Sequence, residues 1–467
     1  DTPNIARLPS EGSTFTAYTS SPLCLPARSS FLCGLPVFKN QSYSNCNMFL
    51  PQFRTYAQDL ADNGVYTCFS GKLDTYIYEI EDAGFSEVLR LQDRNKPGDK
   101  NIGRSPLKIR EGSAARANGY GPEERPAGDR ETVDLALEWL RTTAGKLDQP
   151  FVLFVGITNP HFPHIAPQVY WDKYAGHEDL PEFGPECASA NHPYARDLRD
   201  HFETDHFSEE QIRGLRRGYY GCVNYVDQML GELMDAVEEC GLKNDTDIIY
   251  TSDHGDLLGD HGLFYKQCFY EQSVRAPLIV HAPQLYSPGR STAMVENIDI
   301  FNTICEMAAA DPGEGRMGKS LVPMLDDPAK RDFHRTAAFS ENYFGRMVRT
   351  GPWKMVYYPG RNLGELYNLD DDPDEQFNLW DDMKDSDKVS ELKDMLLEWA
   401  FTTEDTLPLP VRPDHQDQSL RQYAPAANGL TCEQEIQDWY FYDLKNLHLN
   451  CEFSRNWNEI KPDTARA

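Results

Sequence analysis

Cysteine is sparse and unpatterned in this chain. Its 11 cysteines, at positions 24, 33, 46, 68, 187, 222, 240, 268, 305, 432 and 451 of 467 residues, form no CxxC pair. That argues against structural zinc, and the spread is too thin for a disulfide scaffold. Long apolar runs are also missing: nothing approaches the ~18 residues of a membrane-crossing helix. Basic residues are short relative to acidic ones, 45 Lys and Arg against 74 Asp and Glu. The net charge of −29 argues against nucleic acid or an anionic membrane as the general partner, though a locally basic site for a small anion is compatible with it. Internal repeats and low-complexity segments do not stand out, and the composition excludes collagen-like, coiled-coil and disordered readings. What remains is an ordinary globular composition, 40% hydrophobic and 25% charged. The length suits two or three domains, or one large α/β domain with an appendage.

The first two thirds alternate helix and strand. Phe53, Tyr56 and Leu60 recur at helical spacing over 51–63, Gly64 stands as the stop, and a strand over 65–69 runs into Ser70-Gly71-Lys72. A second stripe, Val133, Leu137 and Leu140 within 131–146, precedes the nearly all-apolar 151–158, the pattern of a strand buried on both faces. That strand ends at Asn159-Pro160-His161. The longest helix is predicted to begin at Ser208, with Gln211 completing a capping box, and to close at Gly241. A strand over 247–251 then leads into Ser252-Asp253-His254-Gly255, and 277–281 supplies another. The pattern predicts the α/β class, with a mostly parallel central sheet sandwiched by helices. Lys72, His161 and Asp253-His254 each fall just past the carboxyl end of a predicted strand, where open α/β sheets bind ligands.

After about residue 330 the texture changes. Strands on either side of Thr350-Gly-Pro-Trp353 read as a hairpin, 365–369 as a further strand and 389–401 as a closing helix. The expected organisation is a domain over 1–330, a small α+β subdomain over 331–401 and an extension over 402–467. Residues 94–116 hold seven basic side chains against two acidic ones, either a solvated loop or a rim that attracts an anion. Asn40-Gln-Ser and Asn244-Asp-Thr fit the glycosylation pattern.

The segment around Cys24 has a chemistry of its own. Pro26 suits the first turn of a helix and Gly34 its C′ position, which places Cys24 at a helix N-terminus with Arg28 one turn on. Both features favour negative charge and lower a thiol's pKa, so Cys24 is a candidate nucleophile. Cys24-Leu-Pro26-Ala-Arg28, followed by Cys33-Gly34, resembles the C-x-P-x-R signature of the sulfatase family. The resemblance begins at Thr2-Pro-Asn-Ile-Ala-Arg-Leu8. It continues through Gly71-Lys72, Asn159-Pro160-His161-Phe-Pro163, Ser252-Asp253-His254-Gly255, Lys266, Arg275-Ala-Pro-Leu278 and Gly318-Lys-Ser-Leu321 to Gly364-Glu-Leu-Tyr-Asn-Leu369.

The resemblance implies an alkaline phosphatase-like fold and hydrolysis of a sulfate ester by formylglycine made from Cys24. It implies that Arg28 holds the formylglycine oxygens and that Lys72 and Lys266 clamp sulfate. His161 would bond the bridging oxygen or protonate the leaving alcohol. Calcium is the implied metal, with Asp253, His254 and the modified Cys24 as ligands. The implied partners are a small anionic sulfate ester or sulfated saccharide and, during maturation, a formylglycine-generating enzyme. A secreted, periplasmic or lysosomal setting is implied over a cytoplasmic one.

Two departures stand out. Many sulfatases read G-K-x-H, the His serving as a base, whereas this chain has Gly71-Lys72-Leu73-Asp74, so Asp74 is the candidate for that proton. G-K-x-D, with Leu263-Phe-Tyr-Lys266 and Tyr270-Glu271, is similar to the arylsulfatase K branch, which implies a uronate 2-O-sulfate as a substrate. The second departure is that the family's opening strand, ending in a paired Asp-Asp that binds metal, is not matched by Asp1-Thr2-Pro3. The expectation is a sequence missing that strand through truncation, the alternative a degenerate homologue. The rival functions are a phosphonate or phosphate monoester hydrolase of the same superfamily and a non-catalytic binding protein with the same fold.

Overall fold

The computed structural model describes residues 1–45, 49–75, 83–92, 119–121, 127–313 and 315–403. The basic stretch 94–116 and the extension from 404 onward lie outside the described residues. The strands are β1 (Ser13–Tyr18), β2 (Tyr66–Lys72), β3 (Glu87–Gln92), β4 (Tyr120–Gly121), β5 (Phe151–Gly156), β6 (His164–Ile165) and β7 (Ile248–Thr251). They continue with β8 (Arg275–His281), β9 (Gly289–Arg290), β10 (Val295–Glu296), β11 (Ala338–Glu341), β12 (Arg346–Thr350), β13 (Trp353–Tyr358) and β14 (Leu363–Asn368).

Two sheets carry the body. One runs β10-β1-β8-β7, with β9 also on β1, and the other runs β3-β2-β5. β2 is parallel to both its neighbours, and β1 is parallel to β9 and β10, but β8 runs antiparallel to both β1 and β7. The α/β class is as expected, with that antiparallel strand inside an otherwise parallel arrangement. At the carboxyl end of β2 the backbones close tightly. A Cβ on Gly71 (φ 109°) would lie 2.1 Å from the Gly156 carbonyl, and one on Gly156 would lie 2.4 Å from the Lys72 carbonyl. Only glycine at both positions lets β2 and β5 pair up to the residue that delivers Lys72.

The helix Glu209–Glu239 holds the two sheets together from one side. Its Tyr225, Val226 and Met229 pack with Leu153 and Val155 of β5, while Leu230 and Met234 pack with Ile248 and Tyr250 of β7. Ser208 caps it and Gln211 closes the capping box, as the sequence predicts. On the other side, Phe31 and Ile304 join the clusters that contain Val152 and Phe154 and, separately, Ile249. Among the described residues β5 pairs only with β2, and β7 only with β8. Accordingly, Phe151–Val155 are half-buried rather than buried on both faces as the apolar run predicts.

Other boundaries shift for local reasons. The helix predicted over 51–63 starts at Tyr56, because Thr55 and Gln58 form a capping box. The one predicted over 131–146 starts earlier and spans Ala127–Thr142. Lys72 is the last residue of β2 rather than a residue beyond it. Asn40, of the first glycosylation-like triplet, is fully buried and donates to Ser30 Oγ and the Leu35 carbonyl, so it is unavailable to a glycan. No helix among the described residues is long and apolar enough to cross a membrane.

The C-terminal strands form an antiparallel sheet in the order β11-β12-β13-β14. Val348, Met355 and Leu366 face Val389, Leu392 and Leu396 of the helix Asp387–Thr403. On the opposite face, Met347, Val356, Tyr358 and Tyr367 join the cluster of Phe264, Tyr265 and Cys268 from the body. Through that interface runs Lys354, fully buried, its Nζ 2.9 Å from Glu271 and 2.6 Å from Glu375.

Candidate active site

Cys24 opens the helix Cys24–Cys33, preceded by extended Leu23 and closed by left-handed Gly34 (φ 64°), whose N–H donates to Ser30. The thiol therefore faces the unsatisfied amide end of a helix. Its side chain is fully buried. Lys266 Nζ donates to Sγ at 3.1 Å, and His254 Nε2 lies 3.3 Å from it. His161 also lies against the sulfur. Burial pushes the thiol up, but the charges of Lys266, Lys72 and His254 outweigh it, holding Cys24 well below the ordinary thiol range. An oxygen anion at this position would meet the same field.

Arg28, one turn along, ties three elements together. Its Nε donates to Asp253 Oδ2 at 2.7 Å and its Nη1 to the Lys72 carbonyl at 3.0 Å. The Lys72 side chain is buried, with Nζ 3.5 Å from Asp74, itself buried in left-handed backbone (φ 58°). Asp74, the candidate for the proton in the G-K-x-D pattern, is thus paired with a lysine. Burial works against ionisation of Asp253, yet Arg28 and His254 drive its carboxyl far below the carboxylate range. His254 donates from Nδ1 to the Gly255 carbonyl at 2.8 Å. Burial opposes its charge, but Asp253 raises its pKa above the ordinary histidine value.

His161 is held differently. Its Nδ1 lies 2.6 Å from the Phe162 carbonyl, an acceptor, which assigns the proton to Nδ1 and leaves Nε2 as the acceptor. Burial and then Lys266 push its pKa down to about 4, so the ring is neutral near pH 7. The ring therefore meets a substrate without the proton that an acid would carry. The eight residues singled out in the sequence, Cys24, Arg28, Lys72, Asp74, His161, Asp253, His254 and Lys266, form one connected cluster.

Several supports were not legible beforehand. Asp129 accepts from the backbone N–H groups of Thr158 and Asn159 and fixes the loop before His161. Asn297 donates to the carbonyls of Ser252 and Asp253. Asp256, half-buried and pushed up to about 6 by desolvation, accepts from the N–H groups of Leu258 and Tyr265. Only Asp256 had a signal, its place directly after Ser252-Asp253-His254-Gly255. His164 and His261 serve the packing: His164 bonds the Leu215 carbonyl and His261 stacks on Tyr270.

Among the described residues, Cys24, Asp253 and His254 place one ligand atom each within 4.8 Å of one another. A calcium ion takes six to eight oxygens. Here the group holds one carboxylate, already paired with Arg28, beside an imidazole and a thiol, with Lys266 on the sulfur. These residues on their own do not fit calcium.

Comparison with known proteins places this geometry. A family model described as Sulfatase matches residues 1–310, and one described as N-sulphoglucosamine sulphohydrolase, C-terminal, matches residues 259–401. The chain is similar to choline-sulfatase of Rhizobium meliloti (strain 1021), 31% identical over 81% of this chain and 77% of that protein. It is 30% identical to arylsulfatase K of Danio rerio over 79% of this chain and 73% of that protein. In fold it is similar to a phosphonate monoester hydrolase from Silicibacter pomeroyi, with a TM-score of 0.72 and 21% identity over 87% of this chain and 91% of that one.

Proposed function

Since the chain belongs to the sulfatase family and is a sulfuric ester hydrolase, we propose that it cleaves a sulfate monoester through the hydrate of a formylglycine made from Cys24. The observation that carries this reading is the convergence of Lys266, His254 and His161 on the Cys24 sulfur at a helix N-terminus. One hydroxyl of the hydrate attacks sulfur in line, and the alcohol oxygen leaves with the S–O bonding pair. Loss of a proton from the second hydroxyl to Asp74 then lets the sulfated hemiacetal expel sulfate and regenerate the aldehyde. A serine ester has no second hydroxyl and would need water to attack sulfur.

The residues divide as charge demands. Lys266 and Lys72 clamp the sulfate oxygens, on which negative charge gathers in the transition state. Asp74 holds Lys72 in place, and Arg28 joins the helix to Asp253. His161, neutral with Nε2 toward residue 24, is placed to take a proton from the hydrate and return it to the leaving alcohol. Asp253 and His254 are proposed as part of a calcium site that the described residues do not complete, and no step here depends on it.

We assign catalysis to 1–330 and support to 331–401. The substrate class is an aryl sulfate or sulfated carbohydrate, with uronate 2-O-sulfate suggested by the likeness to arylsulfatase K. The test is mass spectrometry of the Cys24 peptide after co-expression with a formylglycine-generating enzyme, together with turnover of p-nitrophenyl sulfate. Conversion of thiol to aldehyde removes ~18 Da. A peptide that stays a thiol in every such host overturns the reading, and turnover of a phenyl phosphonate in preference to the sulfate would move it to the phosphonate class.

A further inference from the structure

Lys266 lies between two residues with left-handed backbone, Tyr265 at φ 71° and Gln267 at φ 85°. Residues with side chains adopt that region rarely and keep it only where the surroundings impose it. The N-terminal side is held by Asp256, which accepts from Tyr265 N–H at 3.1 Å, and by Leu257 N–H on the Tyr265 carbonyl at 2.9 Å. The C-terminal side is held from farther away. Gln267 N–H donates to the Pro22 carbonyl at 3.0 Å, two residues before Cys24. Its carbonyl accepts from Tyr194 Oη at 2.8 Å and from Asn342 Nδ2 at 2.9 Å.

Asn342 comes from the turn between β11 and β12 and is buried. Its Oδ1 accepts from the N–H groups of Phe344 at 2.8 Å and Gly345 at 2.9 Å, which fixes the amide and aims Nδ2 at Gln267 and at Tyr194 Oη, 3.2 Å away. The residue before it, Glu341, donates its N–H to the Ser20 carbonyl at 2.9 Å. The end of β11 therefore grips both the chain that leads to the nucleophile and the loop that carries its lysine.

We propose that Asn342, with Tyr194, is a positioning residue for Lys266. The two donors fix the Gln267 carbonyl, the Pro22 bond fixes its N–H, and together they lock the turn that aims Lys266 Nζ at Cys24 Sγ. This rests on the reading of Lys266 as a sulfate clamp, and it gives the C-terminal sheet a positioning role in the site.

Asn342→Asp keeps the acceptor for Phe344 and Gly345 while, once ionised, donating nothing to Gln267. The variant is compared with the unaltered protein at mildly alkaline pH, in the native and Lys266→Ala backgrounds. Turnover of p-nitrophenyl sulfate by the matured full chain should fall ~10-fold or more in the native background, since small misplacements of a reacting group are costly. It should not fall further once Lys266 is gone. Hydrogen exchange, which needs no turnover, should speed up in the 263–269 peptide and stay unchanged over 346–350.

An equal loss in both backgrounds, or unchanged exchange over 263–269, overturns the proposal. If Lys266→Ala alone keeps full turnover, the clamp reading fails instead, while exchange still decides whether Asn342 holds the loop. Should Asn342→Asp not fold, Tyr194→Phe removes the other donor and is read by the same two measurements.

Discussion

Arg28 Nε sits 2.7 Å from Asp253 Oδ2, so the carboxylate best placed for a cation is already neutralised by the helix that bears Cys24. Calorimetric titration of the 467-residue chain should therefore show weak calcium binding, with a Kd of about 10⁻⁴ M or above. An added upstream segment with an apolar strand ending in Asp-Asp should raise calcium affinity and aryl sulfate turnover together. The edges of β5 and β7 that are unpaired among the described residues could receive such a strand. Tight calcium in the chain as it stands would place the metal site elsewhere.

The two lysines test the clamp. Lys72→Ala and Lys266→Ala should each reduce turnover by ~10²-fold or more, comparable with the loss of one oxyanion donor. Steady-state rates with an aryl sulfate decide it. Activity that survives both changes would move the chemistry out of this cluster.

His164 should leave a signature in the pH dependence of stability. Burial pushes its pKa down to about 3, against roughly 6.5 in the unfolded chain. Between those values the unfolded chain binds a proton that the folded one refuses, so His164 lowers stability as pH falls below about 6.5. His164→Gln should lose less stability between pH 7 and pH 4.5 than the unaltered protein, by about 2 kcal/mol. Urea unfolding at the two pH values measures the difference, and identical slopes would refute the assignment.

Lys354 carries the next expectation. Lys354→Met strands Glu271 and Glu375 without their cation in a buried interface, at a cost of about 3–5 kcal/mol. Adding Glu271→Gln and Glu375→Gln should recover much of that loss in denaturant melts. A triple variant no better than the single one would show that packing, not charge, sets the cost.

How much of this the sequence disclosed depended on range. Pro26 and Gly34 are local signals, and they placed Cys24 at a helix start, where it lies. The alternation of helical stripe and apolar run located β2, β5 and β7 within a few residues. The Thr55–Gln58 capping box was present in the sequence and marks the helix start better than the apolar period did. Lys266 came only from the family resemblance, because a lysine between tyrosine and glutamine has no local pattern to mark it. Asn342 and Asn297 act through contacts to distant backbone, and nothing near them in sequence foreshadows those partners. Lys354 reads as an ordinary strand lysine until Glu271 and Glu375 arrive from other elements.

The pairing of β1 with β8 also sets a clock. Ser13 lies opposite Val280 and Tyr18 opposite Arg275, so among the described residues the strand just before Cys24 has no sheet partner until the chain has grown past residue 281. At about 5–20 residues per second of synthesis, that leaves an interval of tens of seconds. Cys24 has no exposed surface once the fold closes. Any enzyme that modifies it must therefore act before the fold closes. Slower synthesis between residues 24 and 281 should raise the modified fraction, as mass spectrometry of the Cys24 peptide would reveal.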